Sequence, residues 1–546
     1  MRSKSWIFLP ALFAATLAAA QQPAPAPVPP TFSERVEVRV LNLDVDVTDA
    51  QGNPVTDLKK DDFTVRIGKT TAPIDYFTRV DQGTIHTTDL STANPDQVLE
   101  AYRQGDETIV PRNFLIYVDL GTLSPGLRNR SLEALRDLVT KLGPRDAVRV
   151  VVFDRSEKVL TDWTTSKETA MAALSSIEKK GVGMSRLNAE RLTISQIDSS
   201  RPRSRSSFVY QYAQEVGQEI ETMLAGMRRE LVNLTPLHGQ RAFVFLSGGF
   251  EYQPGWVMAQ YASGTNIAAS NLTFTNIRDV PQRVGGLARD ANSDSVTFYT
   301  IDANGLTGEG VSAAGDDPLA SRTRVSFIAR QDRQSGLVQL ADETGGIALL
   351  NSNDFRGGLG RVYQAVSSYY SLGVTLSKLD MKGYEKISIE VNRPGVKVRS
   401  RKGYEPRSQD QIVGSRTLAT LQTDLGYGAV PVAIRTAAAT PGAKSLYTLP
   451  ITVTMPASAL TFVPEGDQAT AKADLYIGSI DDKGRMSEIS HQETSFRIPA
   501  DKASSDQPLA YNATLQTKKG NYRVVVNVLD SASGKMGTAK ANVRVE

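Results

Sequence analysis

The residue of this chain best placed to do chemistry is a carboxylate at the end of an apolar run: Asp119 in FLIYVDLGTLSP, residues 114–125. An uninterrupted apolar run of this kind, rich in aromatic and β-branched side chains, reads as a strand covered on both faces, as in the parallel sheet of an α/β domain. Ligands of such sheets sit in the crevice beyond the carboxyl ends of the strands, and Asp119 falls there. Catalysis needs a nucleophile, or an acid and a base, held together. The three histidines, His86, His238 and His491, lie in three different regions, and the chain has no cysteine. Thiolate metal sites, structural disulfides and cysteine catalysis are thereby excluded. FLSGG and FRGGLG lack the lysine and spacing of a phosphate loop, and the second lacks the preceding strand of a dinucleotide fingerprint. No enzyme is read here; a cryptic hydrolase would require a pocket that joins an acid with a base.

Other side chains invite weaker readings. Asp44 and Asp46 share one face of a strand, as a paired-carboxylate or calcium site or as a solvated face. Arg201, Arg203 and Arg205 alternate with Pro and Ser in RLTISQIDSSRPRSRSSF, either an anion-binding loop or a solvated one. The segment EYQPGWVMAQYASGTNIAASNLTF places Tyr252, Trp256 and Tyr261 just beyond a buried strand, as interface anchors or as packing for the segment itself.

The elements that position these residues follow from hydrophobic period. Residues 32–80 alternate with period two, with a turn at Gln51-Gly52-Asn53-Pro54, and form a small β unit. Residues 81–110 are a linker. From 111 to 369, buried strands (FLIYV, AVRVVVFD, RAFVFLSGGF, SVTFYTID, IALL) alternate with helical stretches, which implies βαβ crossovers and a doubly wound, Rossmann-like sheet. Residues 370–405 return to period two and are expected to pair with the N-terminal unit, since neither piece alone has strands enough for a core. A linker over 406–440 and an all-β, immunoglobulin-like sandwich over 441–546 complete the division.

With 62 basic and 59 acidic residues, the formal charge is +3, so no global field draws the chain to nucleic acid or a membrane surface. The start, MRSKSWIFLPALFAATLAAAQ, has the layout of a secretory signal peptide over residues 1–20 with cleavage after Ala20, followed by a proline-rich linker over 21–31. The expected product is secreted or periplasmic, with no stable membrane span after cleavage.

Taken together, VRVLNLDVDVTDAQGNPVTDLKKDDFTV, FLIYVDLGTLS, VRVVVFD, HGQRAFVFLSGG, LADETGG and VRSRKGY resemble exported bacterial proteins with a von Willebrand factor A domain flanked by β modules. The resemblance covers roughly residues 32–405. It implies a site for Mg²⁺ or Mn²⁺ at the strand ends, built from an Asp-x-Ser-x-Ser loop, a threonine from a second loop and the aspartate of a Ser-Asp-Gly turn. Only Asp119 matches cleanly. The serine positions fall on Gly121 and Leu123 unless a one-residue bulge brings in Thr122 and Ser124. Ser185 of GVGMSR stands at the threonine position, and the turn reads Ser247-Gly248-Gly249. Glu251 is either a compensating carboxylate or a solvated loop residue. One carboxylate among neutral hydroxyls has little charge with which to dehydrate Mg²⁺. Asp119 is therefore expected to be held by loop amides or hydroxyls, with no resident cofactor.

The expected function is exported, non-enzymatic protein binding or adhesion, to a protein ligand or envelope component, through Asp119, Thr122, Ser124, Ser185, Ser247, Gly248, Glu251, Tyr252 and Trp256. Metal-dependent adhesion at a rebuilt Asp119 site is the alternative.

Overall fold

The computed structural model describes residues 40–86, 109–179, 184–235, 237–263, 279–305, 323–376, 383–423, 425–442 and 446–546. The expected signal peptide and proline-rich linker, most of the 81–110 linker and the end of the aromatic segment lie outside these residues.

Along the chain the first strands are β1 (Val40–Thr48), β2 (Phe63–Ile67), β3 (Thr70–Ala72), β4 (Tyr76–Asp81) and β5 (Thr84–His86). The α/β region holds β6 (Arg112–Asp119), α1 (Pro125–Thr140), β7 (Ala147–Asp154), β8 (Ser156–Thr164), α2 (Lys167–Lys179), α3 (Ser185–Ser199), α4 (Arg205–Leu234) and β9 (Gln240–Ser247). It continues with α5 (Trp256–Ser263), α6 (Val280–Ser293), β10 (Thr297–Asp302), α7 (Thr323–Thr344), β11 (Ala348–Leu349) and α8 (Phe355–Ser367). Then come β12 (Tyr369–Thr375), β13 (Glu385–Val391), β14 (Lys397–Arg399), β15 (Gly403–Tyr404) and α9 (Gln409–Gln422). The last are β16 (Ala433–Thr436), β17 (Thr440–Pro441), β18 (Tyr447–Pro456), β19 (Val463–Glu465), β20 (Gln468–Asp481), β21 (Ser490–Pro499), β22 (Pro508–Thr517), β23 (Gly520–Asp530) and β24 (Met536–Val545).

The central sheet has the order β11-β10-β9-β6-β7-β8. Its pairs are parallel except for β7 with β8, an antiparallel edge strand. Residues 114–118 of β6 are wholly buried because successive side chains enter different cores. Phe114, Ile116 and Val118 pack with α1, α2 and α8, whereas Leu115 and Tyr117 pack with α4, α6 and α7. Each such side chain contributes about 1.5–3 kcal/mol by leaving water.

Below this sheet, β1 lies between β12 and β14, and β12 also pairs with β4, while β2 pairs with β13. The inward face of β1 is Leu41, Leu43, Val45 and Val47. Val40 belongs to the other face. That other face is not solvated, as the alternating pattern had suggested for Asp44 and Asp46. Asp44 Oδ2 accepts from Gln240 Nε2 at the entry to β9 at 2.9 Å, and Asp46 Oδ2 from Arg399 Nε, its cross-strand partner on β14, at 3.0 Å.

The 406–440 stretch is not a bare linker. It carries α9, opened by a Ser408–Gln411 capping box, and β16. Two antiparallel sheets follow, one centred on β18 and one on β20 and β23, and share a core that includes Leu449, Ile451, Val453, Leu475, Val524 and Val526. Helix α9 packs on the outer side of the second sheet, where Val413 joins Tyr476, Leu529 and Met536.

Candidate functional site

The doubly wound order creates a switch point between β6 and β9, since the chain leaves β6 toward β7 on one side and β9 toward β10 on the other. Loops diverge there and leave a crevice at the strand ends. Asp119 ends β6 and Ser247 ends β9, one residue beyond the pair Val118 and Leu246. The apolar run of β6 thus delivers a carboxylate, fully buried, to the floor of the crevice.

An unpaired carboxylate there would be costly, and donors from three segments of the chain are turned toward it. Gly121 N–H donates to Asp119 Oδ1 at 3.1 Å, and Ser247 Oγ donates to Oδ2 at 2.7 Å. Thr122 Oγ1 is 3.4 Å from Oδ2 and 3.4 Å from Ser247 Oγ. Behind them, Gly248 N–H donates to Thr122 Oγ1 at 3.0 Å, Gly249 N–H to Ser247 Oγ at 3.0 Å, and Asn304 Nδ2 to the Gly248 carbonyl at 2.7 Å.

The strongest partner is one the sequence reading passed over. Met184 takes a left-handed turn (φ 54°), its N–H donates to the Leu120 carbonyl at 3.0 Å, and α3 then begins at Ser185. That turn sends the buried Arg186 guanidinium onto Asp119 Oδ1 as a charge-assisted hydrogen bond. Arg186 Nε lies 3.7 Å from Glu219 Oε1 of α4, which also accepts from Ser185 Oγ at 2.8 Å. Burial raises the Glu219 carboxyl above its ordinary range, against the pull of Arg186. Farther out, Arg333 Nη2 of α7 reaches Glu190 Oε1 of α3 at 2.7 Å, and Phe250 N–H donates to the Arg333 carbonyl at 3.3 Å. Gly249, at φ 82°, runs so close to α7 that a Cβ would stand 2.7 Å from that carbonyl.

These residues do not fit a divalent cation. Mg²⁺ needs about six oxygens in near-octahedral array. Both oxygens of Asp119 are engaged, and the neighbouring position is held by a fixed positive charge. Two unit charges 4 Å apart interact by about 4 kcal/mol at an effective dielectric of about 20, so a dication beside Arg186 meets roughly twice that repulsion. Nor is there room to restore the missing ligands. A Cβ on Gly121 would lie 3.0 Å from Arg186 Nη2, and one on Gly248 would lie 2.8 Å from the Thr122 carbonyl oxygen. Ser124 Oγ is buried without a hydrogen-bond partner among the described residues, and it does not cap α1.

Asp119, Thr122, Ser185, Ser247 and Gly248 are therefore linked in one site, with Ser124 two residues after Thr122. Glu251, Tyr252 and Trp256 serve a different purpose. Glu251 is not a solvated loop residue: its buried carboxylate accepts from the Tyr212 hydroxyl and, at 2.7 Å, from Gly255 N–H, and burial raises its pKa. Asp332 of α7 accepts Tyr252 N–H at 3.0 Å and Gln253 N–H at 3.1 Å, and Tyr252 Oη donates to Gln339 at 2.8 Å. Trp256 is half-buried against the same core as Val257 and Met258, and Tyr261 donates to Asp198 at 2.8 Å. The described aromatics thus pack their segment onto its own domain. Arg205, from the arginine run, donates to the Ala262 carbonyl at 3.2 Å, while Arg201 and Arg203 are exposed. His86 is exposed, and the His238 carbonyl accepts from Asn113 Nδ2 at 2.6 Å.

Beside Arg186 lies a cavity of about 10 Å³ lined by Thr122, Glu190, Tyr212, Glu251 and Arg333 among others, space for about one water. On the helices of this domain, Leu192 of α3, Tyr210 of α4 and Phe327 of α7 are large apolar side chains in solvent.

No family model matches the chain, and no curated protein matches it. Among solved structures it is similar to the conserved hypothetical protein BatB from Bacteroides thetaiotaomicron, at 13% identity over 47% of this chain and 97% of that one, with a TM-score of 0.24. An aerotolerance-related membrane protein from Bacteroides fragilis gives 14% identity over 47% and 98%, with a TM-score of 0.24. Proximal thread matrix protein 1 from the mussel byssus, with a zinc-occupied MIDAS motif, gives 11% identity over 48% of each chain and a TM-score of 0.25. At these scores the likenesses carry no argument about what the chain does. No described helix is long and apolar enough to cross a membrane.

Proposed function

We propose that the chain is an exported, non-enzymatic protein-binding module of the von Willebrand factor A type, in which the arginine side chain replaces the adhesion metal. The observation that carries this reading is the Arg186 guanidinium on Asp119, in the crevice where a ligand would meet the sheet. A fixed guanidinium supplies the positive charge that a divalent ion would, with no dependence on free metal. The small cavity beside it suits a surface that meets a protein better than a pocket that encloses a substrate. Leu192 of α3, Tyr210 of α4 and Phe327 of α7 supply exposed apolar area on helices of the same domain. The N-terminal leader and the two flanking β modules, read as immunoglobulin-like, fit an envelope or extracellular setting in which the α/β domain is displayed to a protein ligand or envelope component.

The test is capture from an envelope extract on the immobilised mature chain, in EDTA and in Mg²⁺. The same partner retained equally in both, and lost when Leu192, Tyr210 and Phe327 are changed to serine, is the expected result. Capture that requires Mg²⁺ and is lost in Asp119→Ala would instead establish metal-dependent adhesion. Turnover of an ester, peptide or glycoside would establish a hydrolase.

A further inference from the structure

The C-terminal sandwich holds a second group of side chains, unrelated to the crevice. In the antiparallel ladder of β20 and β21, Asp474 is opposite Glu493 and Tyr476 is opposite His491. Period two puts all four on the outer face. Like charges directly opposite each other weaken a ladder, and among the described residues no lysine or arginine forms an ion pair with either carboxylate. A third carboxylate, Asp410, arrives from the first turn of α9. This face therefore gathers three acids around one imidazole.

The geometry is that of a shell with its supports. Asp474, His491 and Glu493 each offer an atom within 4.8 Å of the others. His491 Nε2 is 3.1 Å from Asp474 Oδ1, and ligands in a tetrahedral zinc shell with bonds of about 2.1 Å stand about 3.4 Å apart. The ring's other nitrogen, Nδ1, faces Asp410 Oδ1 at 3.8 Å, the carboxylate-behind-histidine arrangement of many metal centres. Tyr476 fixes the imidazole plane by stacking on it at 4.4 Å and 4°, and its hydroxyl donates to Asp410 Oδ1 at 2.8 Å. Ser531 Oγ donates to Asp474 Oδ2 at 2.8 Å, which leaves Oδ1 turned to the imidazole.

We propose that Asp474, His491 and Glu493 bind one divalent ion of the zinc class, with Asp410, Tyr476 and Ser531 as positioning residues. An imidazole nitrogen with two carboxylate oxygens selects such an ion over Mg²⁺, and three protein ligands leave a fourth position for water. Because Asp410 belongs to α9, the ion clips that helix to the sandwich.

The experiment is calorimetric titration of Zn²⁺ into the untagged full chain at neutral pH, with thermal unfolding as a second readout. One equivalent is expected to bind saturably and to raise the melting midpoint. Both effects should vanish in His491→Ala and weaken sharply in Glu493→Gln, an exposed isosteric change that leaves the fold intact. Asp410→Asn should weaken binding by about 10- to 100-fold. No saturable binding by the wild-type chain, or an isotherm unchanged by His491→Ala and Glu493→Gln, would overturn the proposal.

Discussion

At the scale of the residue, the crevice is held by a buried ion pair, Asp119 with Arg186, whose value lies in its completeness. Removing one partner of such a pair leaves the other as an uncompensated charge, at about 3–5 kcal/mol. Arg186→Met should therefore destabilise the chain by about that amount in urea unfolding, and Asp119→Asn in the same background should recover part of it, by about 0.5–3 kcal/mol of coupling. Additive losses would show that the two side chains do not depend on each other. Gly248→Asp, which introduces the aspartate that the von Willebrand factor A resemblance would call for in this turn, should lower stability by about 1–3 kcal/mol through its clash with the Thr122 carbonyl and should create no Mg²⁺ site. Asp119 was legible in the sequence because five apolar residues end on it. Arg186 was not: it reaches Asp119 from 67 residues away, with no period or motif to mark it beyond its place next to Ser185. Glu251 was misread for a similar reason, since the hydroxyl that allows its burial belongs to Tyr212, 39 residues earlier.

At the scale of the element, two attachments define how the crevice and the sandwich are held. Asp332 of α7 grips the start of the aromatic segment through two amides, and burial raises its carboxyl from 3.8 to about 6. The folded state thus binds a proton more readily than the unfolded one. The stabilisation this gives is complete below the unfolded pKa and is lost as pH rises through the folded one. From about pH 7.5 to 5 the wild-type chain should gain about 1 kcal/mol relative to Asp332→Asn; parallel pH profiles of unfolding in the two proteins would contradict this. In the sandwich, buried Asn527 of β23 donates to Thr417 Oγ1 of α9 at 3.0 Å and accepts from Thr538 Oγ1 of β24 at 2.5 Å. Asn527→Ala should cost about 1–3 kcal/mol in urea unfolding, and a neutral result would show that α9 is held by apolar contact alone. The buried strands of the α/β region could be read from their unbroken apolar runs. Helix α9 could not, because among its buried residues only Val413 and Leu421 are large and apolar, and Thr417, Ala419 and Thr420 between them print no amphipathic stripe. Its capping box was the available signal. Edge strand β8, SEKVLTDWT, escaped for want of a buried face.

At the scale of the whole molecule, the α/β domain is set between strands that pair with one another. Val40 stands opposite Thr375, and β4 flanks the same β12, so the chain enters and leaves the domain at neighbouring points. The crevice lies at the other end of the sheet, beyond the carboxyl ends of its strands, and is the face this arrangement presents. With a formal charge of only +3, the recognition proposed there would rest on local chemistry, a guanidinium held in a closed hydrogen-bond network. The most direct test of the central claim is a Mg²⁺ titration of the mature chain by calorimetry, run beside Asp119→Ala. No saturable heat is expected at millimolar Mg²⁺ in either protein. Saturable binding by the wild-type chain that disappears in Asp119→Ala would contradict it, because Arg186 would then have to yield its place to the ion.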